Sequence, residues 1–251
     1  MGKTGETDIR GGIPMKQSNR LGKLLYIWVN LSFLVPIVYL ILRLIFGSDS
    51  AGQVGYHTES DYLLMLLQCL LGLAAIHLPS ILERRLRFEL PSLLYWFYII
   101  FLYCSIFLGE VRSFYYLVPR WDSILHFFSS MMTGFFGLMV VTILNRDRHV
   151  SMSLSPLFVC LFAFCFSVTI GSLWEIYEFA GDGLFGLNMQ KFITASGEVL
   201  VGHEALRDTM KDIIVDALGA LLAGLIGYIS IRRGQKWYIP SLTETTTEAE
   251  K

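Results

Sequence analysis

Residues 121–144 read WDSILHFFSSMMTGFFGLMVVTIL, and this stretch decides the fold. As a helix it rises about 36 Å, enough to cross a hydrocarbon layer of about 30 Å. It contains no Lys or Arg, and its two ionisable side chains, Asp122 and His126, both lie near its start. An apolar run of this length is expected to span a membrane.

Working outward, five more runs of similar character occur at about Leu24–Phe46, Tyr62–Leu82, Ser92–Leu108, Leu157–Phe179 and Asp208–Ile231. The 251 residues are 54% hydrophobic and only 16% charged, against about 25% charge in a soluble domain. An ordinary cytosolic enzyme is excluded. With a net charge of −1 and no basic stripe, so is a nucleic-acid partner. The expected fold is all-α: a polytopic transmembrane bundle of about six spans, embedded in the lipid bilayer. A polar N-terminal tail (1–20) precedes the membrane domain (21–231), and a second tail (232–251) follows it. The first span is too long, and too free of a small-residue cleavage site, for a removable signal peptide. Cys69, Cys104, Cys160 and Cys165 fall inside spans with no CxxC pair, and read as apolar side chains.

Orientation follows from the basic residues. Lys3, Arg10, Lys16, Arg20 and Lys23 precede the first span. Arg84, Arg85 and Arg87 follow the second, Arg146 and Arg148 the fourth, and Arg232, Arg233, Lys236 and Lys251 the sixth. The opposite connections hold only Arg112, Arg120, Lys191 and Arg207. By the positive-inside rule both termini are expected in the cytoplasm.

The few charges inside spans are costly, roughly 2.5–3.5 kcal/mol each at a helix centre. They form three groups with helical spacing. Asp122 and His126 are i,i+4; Glu175 and Glu178 are i,i+3; Asp208, Asp212 and Asp216 form an i,i+4,i+8 stripe. Ser129, Thr133 and Gly137 continue the first group, and Ala220, Ala223 and Gly224 the last. Span four begins on the outer side, span five ends there and span six begins there. The three groups, separated by up to about 90 residues, therefore share one depth, with Glu110 and Arg112 ending span three beside them.

One imidazole among several carboxylates on facing helices is how carboxylate-rich metal sites are built in helical bundles. The donor set suits Mg²⁺, Mn²⁺, Fe²⁺ or Zn²⁺. In that reading Asp122, His126, Glu175 and Asp212 ligate the cation, and Glu178 or Asp208 serves as general base or further ligand. Arg112 or Arg120 holds a substrate phosphate. In the plainer reading, Arg112, Arg120, Arg207 and Lys211 neutralise the carboxylates as interfacial pairs, and Asp208 favours a helix N-terminus. His126, Glu175 and Asp212, about one turn inside the span ends, fit that reading worst. Asp216, two turns deep, reads as a partner of a ligand, a proton relay or a protonated acid. His203 and Glu204 fall in the long, Gly-rich outer connection and read first as solvated loop residues, with the site within their reach as the alternative.

The segments WDSILHFFSSMMTGFFG, LWEIYEF and RDTMKDIIVDALGALLAG, in this order, resemble the YjdF-like family of bacterial inner-membrane proteins. The likeness covers roughly residues 60–231 and rests on the D-x-x-x-H, E-x-x-E and D-T-x-x-D elements. It implies a multi-pass protein of the bacterial cytoplasmic membrane and carries over Asp122, His126, Glu175, Glu178, Asp208 and Asp212. Three functions fit the sequence. The leading one is a metal-dependent hydrolase or transferase acting on a lipid, lipid-linked or envelope substrate. A cation- or proton-coupled transporter and a non-enzymatic scaffold with structural charge pairs are the others.

Overall fold

The computed structural model describes residues 20–46, 59–86, 88–144, 154–194, 196–235 and 241–242. Residues 1–19 of the N-terminal tail and most of the C-terminal tail lie outside these, as do Arg87, Arg146 and Arg148. Among the described residues, six helical segments are long and apolar enough to cross a membrane. The chain is an all-α membrane bundle.

The first span is α1 (Arg20–Phe46). The second is broken into α2 (Glu59–Ala75) and α3 (Leu78–Leu86). Pro79 explains the break, because it has no N–H to give to the carbonyl of Ala75 one turn back. Tyr98 supplies the missing donor: its hydroxyl bonds Ala75 O at 2.8 Å. The third span is α4 (Ser92–Leu102), which continues as a π-helical segment, Tyr103–Val111. After the single turn α5 (Phe114–Leu117) come α6 (Trp121–Leu144), α7 (Pro156–Phe185) and α8 (His203–Arg232). Ser155 caps α7 ahead of Pro156, accepting from Phe158 N at 3.2 Å.

Three boundaries differ from the sequence reading. Span three runs on past Leu108 to Val111 in its π-helical form. Span five continues from Phe179 to Phe185, and span six begins at His203, before Asp208. Gly181 and Gly183 suggested a loop, but both are helical. The helix stops at Gly186, whose φ of 63° closes it. The outer connection is therefore residues 186–202, shorter than expected, and His203 and Glu204 belong to the first turn of α8.

Packing divides the bundle. Phe33, Cys69, Tyr95, Ile99 and Ile106 form a core among α1, α2, α4 and the π-helical segment. Leu138, Val159, Ala163 and Ala223 form another among α6, α7 and α8. Small residues let these last three helices approach closely. A Cβ at Gly219 would meet the backbone oxygen of Phe127, one at Gly134 would lie 2.8 Å from Ala223 Cβ, and one at Gly137 would lie 3.2 Å from Ala163 Cα. At the opposite end from the acidic groups, strands β1 (Phe88–Glu89) and β2 (Ser241–Leu242) pair antiparallel, bringing the start of the C-terminal tail beside the α3–α4 connection.

Candidate functional site

Counting 1.5 Å per residue from Leu144 of α6, Pro156 of α7 and Arg232 of α8, His126, Glu175 and Asp212 all fall about 27–30 Å along their helices. That is the thickness of the hydrocarbon layer. Three chain segments far apart in sequence thus deliver their ionisable groups to one level, and the side chains meet there.

His126 is the centre, 8% exposed. Its Nε2 lies 3.8 Å from Asp122 Oδ1 and 3.7 Å from Glu175 Oε1. Its Nδ1 faces Asp216, 3.3 Å from each carboxylate oxygen. Asp122, His126 and Asp212 each offer a donor atom within 4.8 Å of the other two. Asp212 and Asp216 are 2% exposed and Glu175 5%. Glu175 Oε1, Asp212 Oδ1 and Asp216 Oδ1 are buried without a hydrogen-bond partner. Buried polar atoms are nearly always satisfied, and an unpaired carboxylate oxygen is among the most costly to leave bare. Four carboxylates against one imidazole leave an excess of negative charge that a cation or bound protons must offset.

The distances suit a shared cation better than direct bonds. At 3.7–3.8 Å the contacts of Nε2 are too long for hydrogen bonds. Donors about 2.1 Å from a tetrahedral ion lie about 3.4 Å apart, within a few tenths of an ångström of this spacing. Among the described residues, Asp122, His126 and Asp212 bring donor atoms together in this way, and Glu175 joins them through its approach to His126 Nε2.

The remaining candidates sit around this centre. Asp208 pairs with Lys211 at 2.7 Å, and Lys211 also lies 3.7 Å from Asp212. Of the cations expected to neutralise the cluster, Lys211 alone does so among the described residues. Arg112, Arg120 and Arg207 are exposed and enter none of the described ion pairs. Glu178, half-buried, accepts from Trp174 Nε1 at 2.8 Å on the lipid-facing side of α7. His203 and Glu204 are exposed on α8, about 13 Å along the axis from Asp212. They are solvated, as their first reading had it, but on the first turn of that helix and not in a loop.

Several residues that build the site were not singled out by sequence. Ser129 bonds the carbonyl of its own helix at His126; the neighbouring Ser130 instead joins α6 to α7 and α8. Its hydroxyl bonds Asp216 O and lies 2.8 Å from Ser167 Oγ, which in turn lies 2.8 Å from Thr133 Oγ1. Ser130 at i+4 from His126, and Ser167, Gly171 and Glu175 at i+4 steps along α7, were the available signals. Lys191 had none. It reaches inward from the outer connection to bond Glu110 Oε1 at 2.8 Å, its ammonium over the rings of Tyr115 and Tyr116. Burial works against that charge, yet the Glu110 carboxylate holds the Lys191 ammonium above its ordinary pKa. Burial also raises the phenol of Tyr115 well above its usual value, helped by the nearby charges of Asp122 and Glu110.

The outer connection is itself a built structure. Asp182, on the last turns of α7, accepts from Met189 N at 2.6 Å and Gln190 N at 3.0 Å. Asn188 donates to Tyr116 and to the carbonyl of Ile193. Gln190 donates to Thr209 Oγ1 at 2.7 Å.

Residues 22–233 match a family described as a predicted membrane protein (DUF2238). The chain belongs to that family. A relative from Thermotoga maritima, named only "Uncharacterized protein", is 32% identical over 122 residues, 48% of this chain. The aligned part spans about half of that relative, 54% of its length. No solved structure matches the chain.

Proposed function

We propose that this DUF2238 protein is a metal-dependent hydrolase or transferase of the bacterial cytoplasmic membrane. It acts from the outer face on a lipid, lipid-linked or envelope substrate. One observation carries the reading: three buried carboxylate oxygens, on Glu175, Asp212 and Asp216, stand without hydrogen-bond partners around a single imidazole. Asp122, His126, Glu175 and Asp212 hold a divalent cation, with Mg²⁺, Mn²⁺, Fe²⁺ and Zn²⁺ compatible with the donors. When bound, such an ion supplies Lewis acidity toward a phosphoryl or carbonyl oxygen. Glu178 or Asp208 takes the proton of an attacking group. Each already has a partner, Trp174 Nε1 for Glu178 and Lys211 for Asp208. Arg112 and Arg120, exposed at the same end, hold the substrate's anionic group.

Basic residues concentrated at the opposite end support cytoplasmic termini. The YjdF-like pattern of D-x-x-x-H, E-x-x-E and D-T-x-x-D supports the bacterial assignment. The Ser130, Ser167 and Thr133 hydroxyls favour a second reading, a cation- or proton-coupled carrier, because they extend the polar path beneath Asp216. Below them the fully buried Leu138, Ala163 and Ala223 close the bundle, which favours a site over a conduit.

The test is the metal content of the detergent-purified protein, with His126→Ala and Asp212→Ala beside wild type. Stoichiometric metal in the wild type, lost from both folded variants, supports the reading. No metal in any of the three, with equal thermal stability, removes its basis. Proton-coupled cation flux in proteoliposomes would replace the enzyme with the carrier.

A further inference from the structure

We propose that Asp216 is the positioning residue of this site: it holds His126 with its proton on Nδ1 and its Nε2 lone pair turned toward Asp122, Glu175 and Asp212. The inference deepens the proposed cation site and rests on it for its effect on metal affinity, but not for the state of the imidazole.

The argument starts from the ring. A neutral imidazole carries one N–H and one lone pair, and a carboxylate can only accept. Both oxygens of Asp216 lie 3.3 Å from Nδ1, so the proton belongs on that nitrogen. The oxygens facing Nε2 stand back at 3.7 and 3.8 Å, beyond hydrogen-bonding range, so no direct bond competes with Asp216 for the orientation of the ring. With Nδ1 tied to Asp216, Nε2 is the nitrogen turned toward the carboxylates that surround the candidate cation. A carboxylate behind a ligating histidine is a recurrent device for fixing its tautomer and raising its basicity.

Three helices fix Asp216 for this task. On α8 its own backbone oxygen accepts from Ser130 of α6, and Ser130 bonds Ser167 of α7. On α7, Gly171 lies directly against the carboxylate: a Cβ there would collide with Asp216 Oδ2 and stand 2.8 Å from Cγ. The missing side chain at position 171 is thus the space the Asp216 carboxylate fills. Among the described residues Asp216 Oδ1 makes no hydrogen bond, and His126 Nδ1 lies 3.3 Å from it.

Two substitutions test this on the full-length protein in detergent. Asp216→Asn keeps the shape but can present an amide N–H to Nδ1, which drives the proton to Nε2. The consequence of such a tautomer switch is large in hydrolytic triads. Gly171→Ala changes no ionisable group and displaces the carboxylate. Nitrogen NMR of ¹⁵N-histidine-labelled protein, with His126 assigned by its absence in His126→Gln, should show Nδ1–H in wild type and Nε2–H in Asp216→Asn. Titration with Mn²⁺ or Zn²⁺ alone should show affinity lower by about 10–100-fold in both variants. Gly183→Ala, with nothing within 4 Å of its added methyl, should bind as wild type.

A proton on Nε2 of His126 in the wild type overturns the proposal, as does metal affinity within twofold of wild type in Gly171→Ala. If Asp216→Asn fails to fold, Gly171→Ala still decides. If the wild type binds neither ion while His126 carries its proton on Nδ1, the cation reading fails and the positioning of the imidazole stands.

Discussion

The Lys191 ammonium sits 2.8 Å from Glu110 Oε1, joining the outer connection to the end of the π-helical segment across 81 positions of sequence. Both side chains are largely buried, at 13% and 8% exposure. Removing one partner of such a pair leaves a buried charge and costs about 3–5 kcal/mol, whereas replacing both with apolar groups is often neutral. Lys191→Met should therefore lower the melting temperature and expose residues 186–202 to protease. The double variant Lys191→Met/Glu110→Leu should recover most of the loss. Because the Lys191 pKa is raised on folding, the pair's contribution is complete below the ordinary lysine value, about 10.4, and fades only as pH rises through the higher folded value. Protease resistance of the connection should accordingly be flat across neutral pH.

Divalent metal should stabilise the protein by mass action. At a free concentration about 100 times the dissociation constant the gain is about 2.7 kcal/mol. Differential scanning fluorimetry with Mn²⁺ or Zn²⁺ should show an upward shift in wild type, reversed by chelator and absent in His126→Ala. Equal melting temperatures in metal and in chelator would count against the site.

Close approach of α6 and α8 depends on Gly219, where a Cβ would meet the Phe127 carbonyl. Gly219→Ala should destabilise by about 1–3 kcal/mol, the usual cost of overpacking. Gly183→Ala in open space should be neutral, or stabilising by up to about 1 kcal/mol through helix propensity. Thermal unfolding of the two variants side by side separates packing from backbone effects.

Tyr98→Phe strands the carbonyl of Ala75 that Pro79 already leaves without its helical donor. The expected cost is about 1–3 kcal/mol. In a Pro79→Ala background, where an N–H is restored, the same substitution should cost little. A double-mutant cycle by thermal denaturation measures the difference.

The spans and the common depth of the acidic groups were legible because both follow from periodicity and from which end of each run carries charge. Asp122 and His126 announce their shared face by spacing alone. The division of labour around His126 was not legible, since it depends on which ring nitrogen faces which helix. Ser129 and Ser130 show the limit: a 100° step along α6 separates a hydroxyl spent on its own backbone from one that joins three helices. Lys191 was hidden for a different reason. It lies in an irregular segment, with φ of 53°, where no repeat relates position to direction.

At the end that bears the acidic groups, four of the spans are tied in pairs. Trp121 on α6 donates to Cys104 O, so the end of α6 that bears Asp122 and His126 is moored to the π-helical segment. Asp182, Gln190 and Thr209 strap α7 to α8, which bear Glu175, Asp212 and Asp216. Lys191–Glu110 and Asn188–Tyr116 join the connection between α7 and α8 to the segment that precedes α6. Every helix that brings a partner to the imidazole is thus anchored twice, by Ser130 and its neighbours beneath the ring and by bonds remote from it.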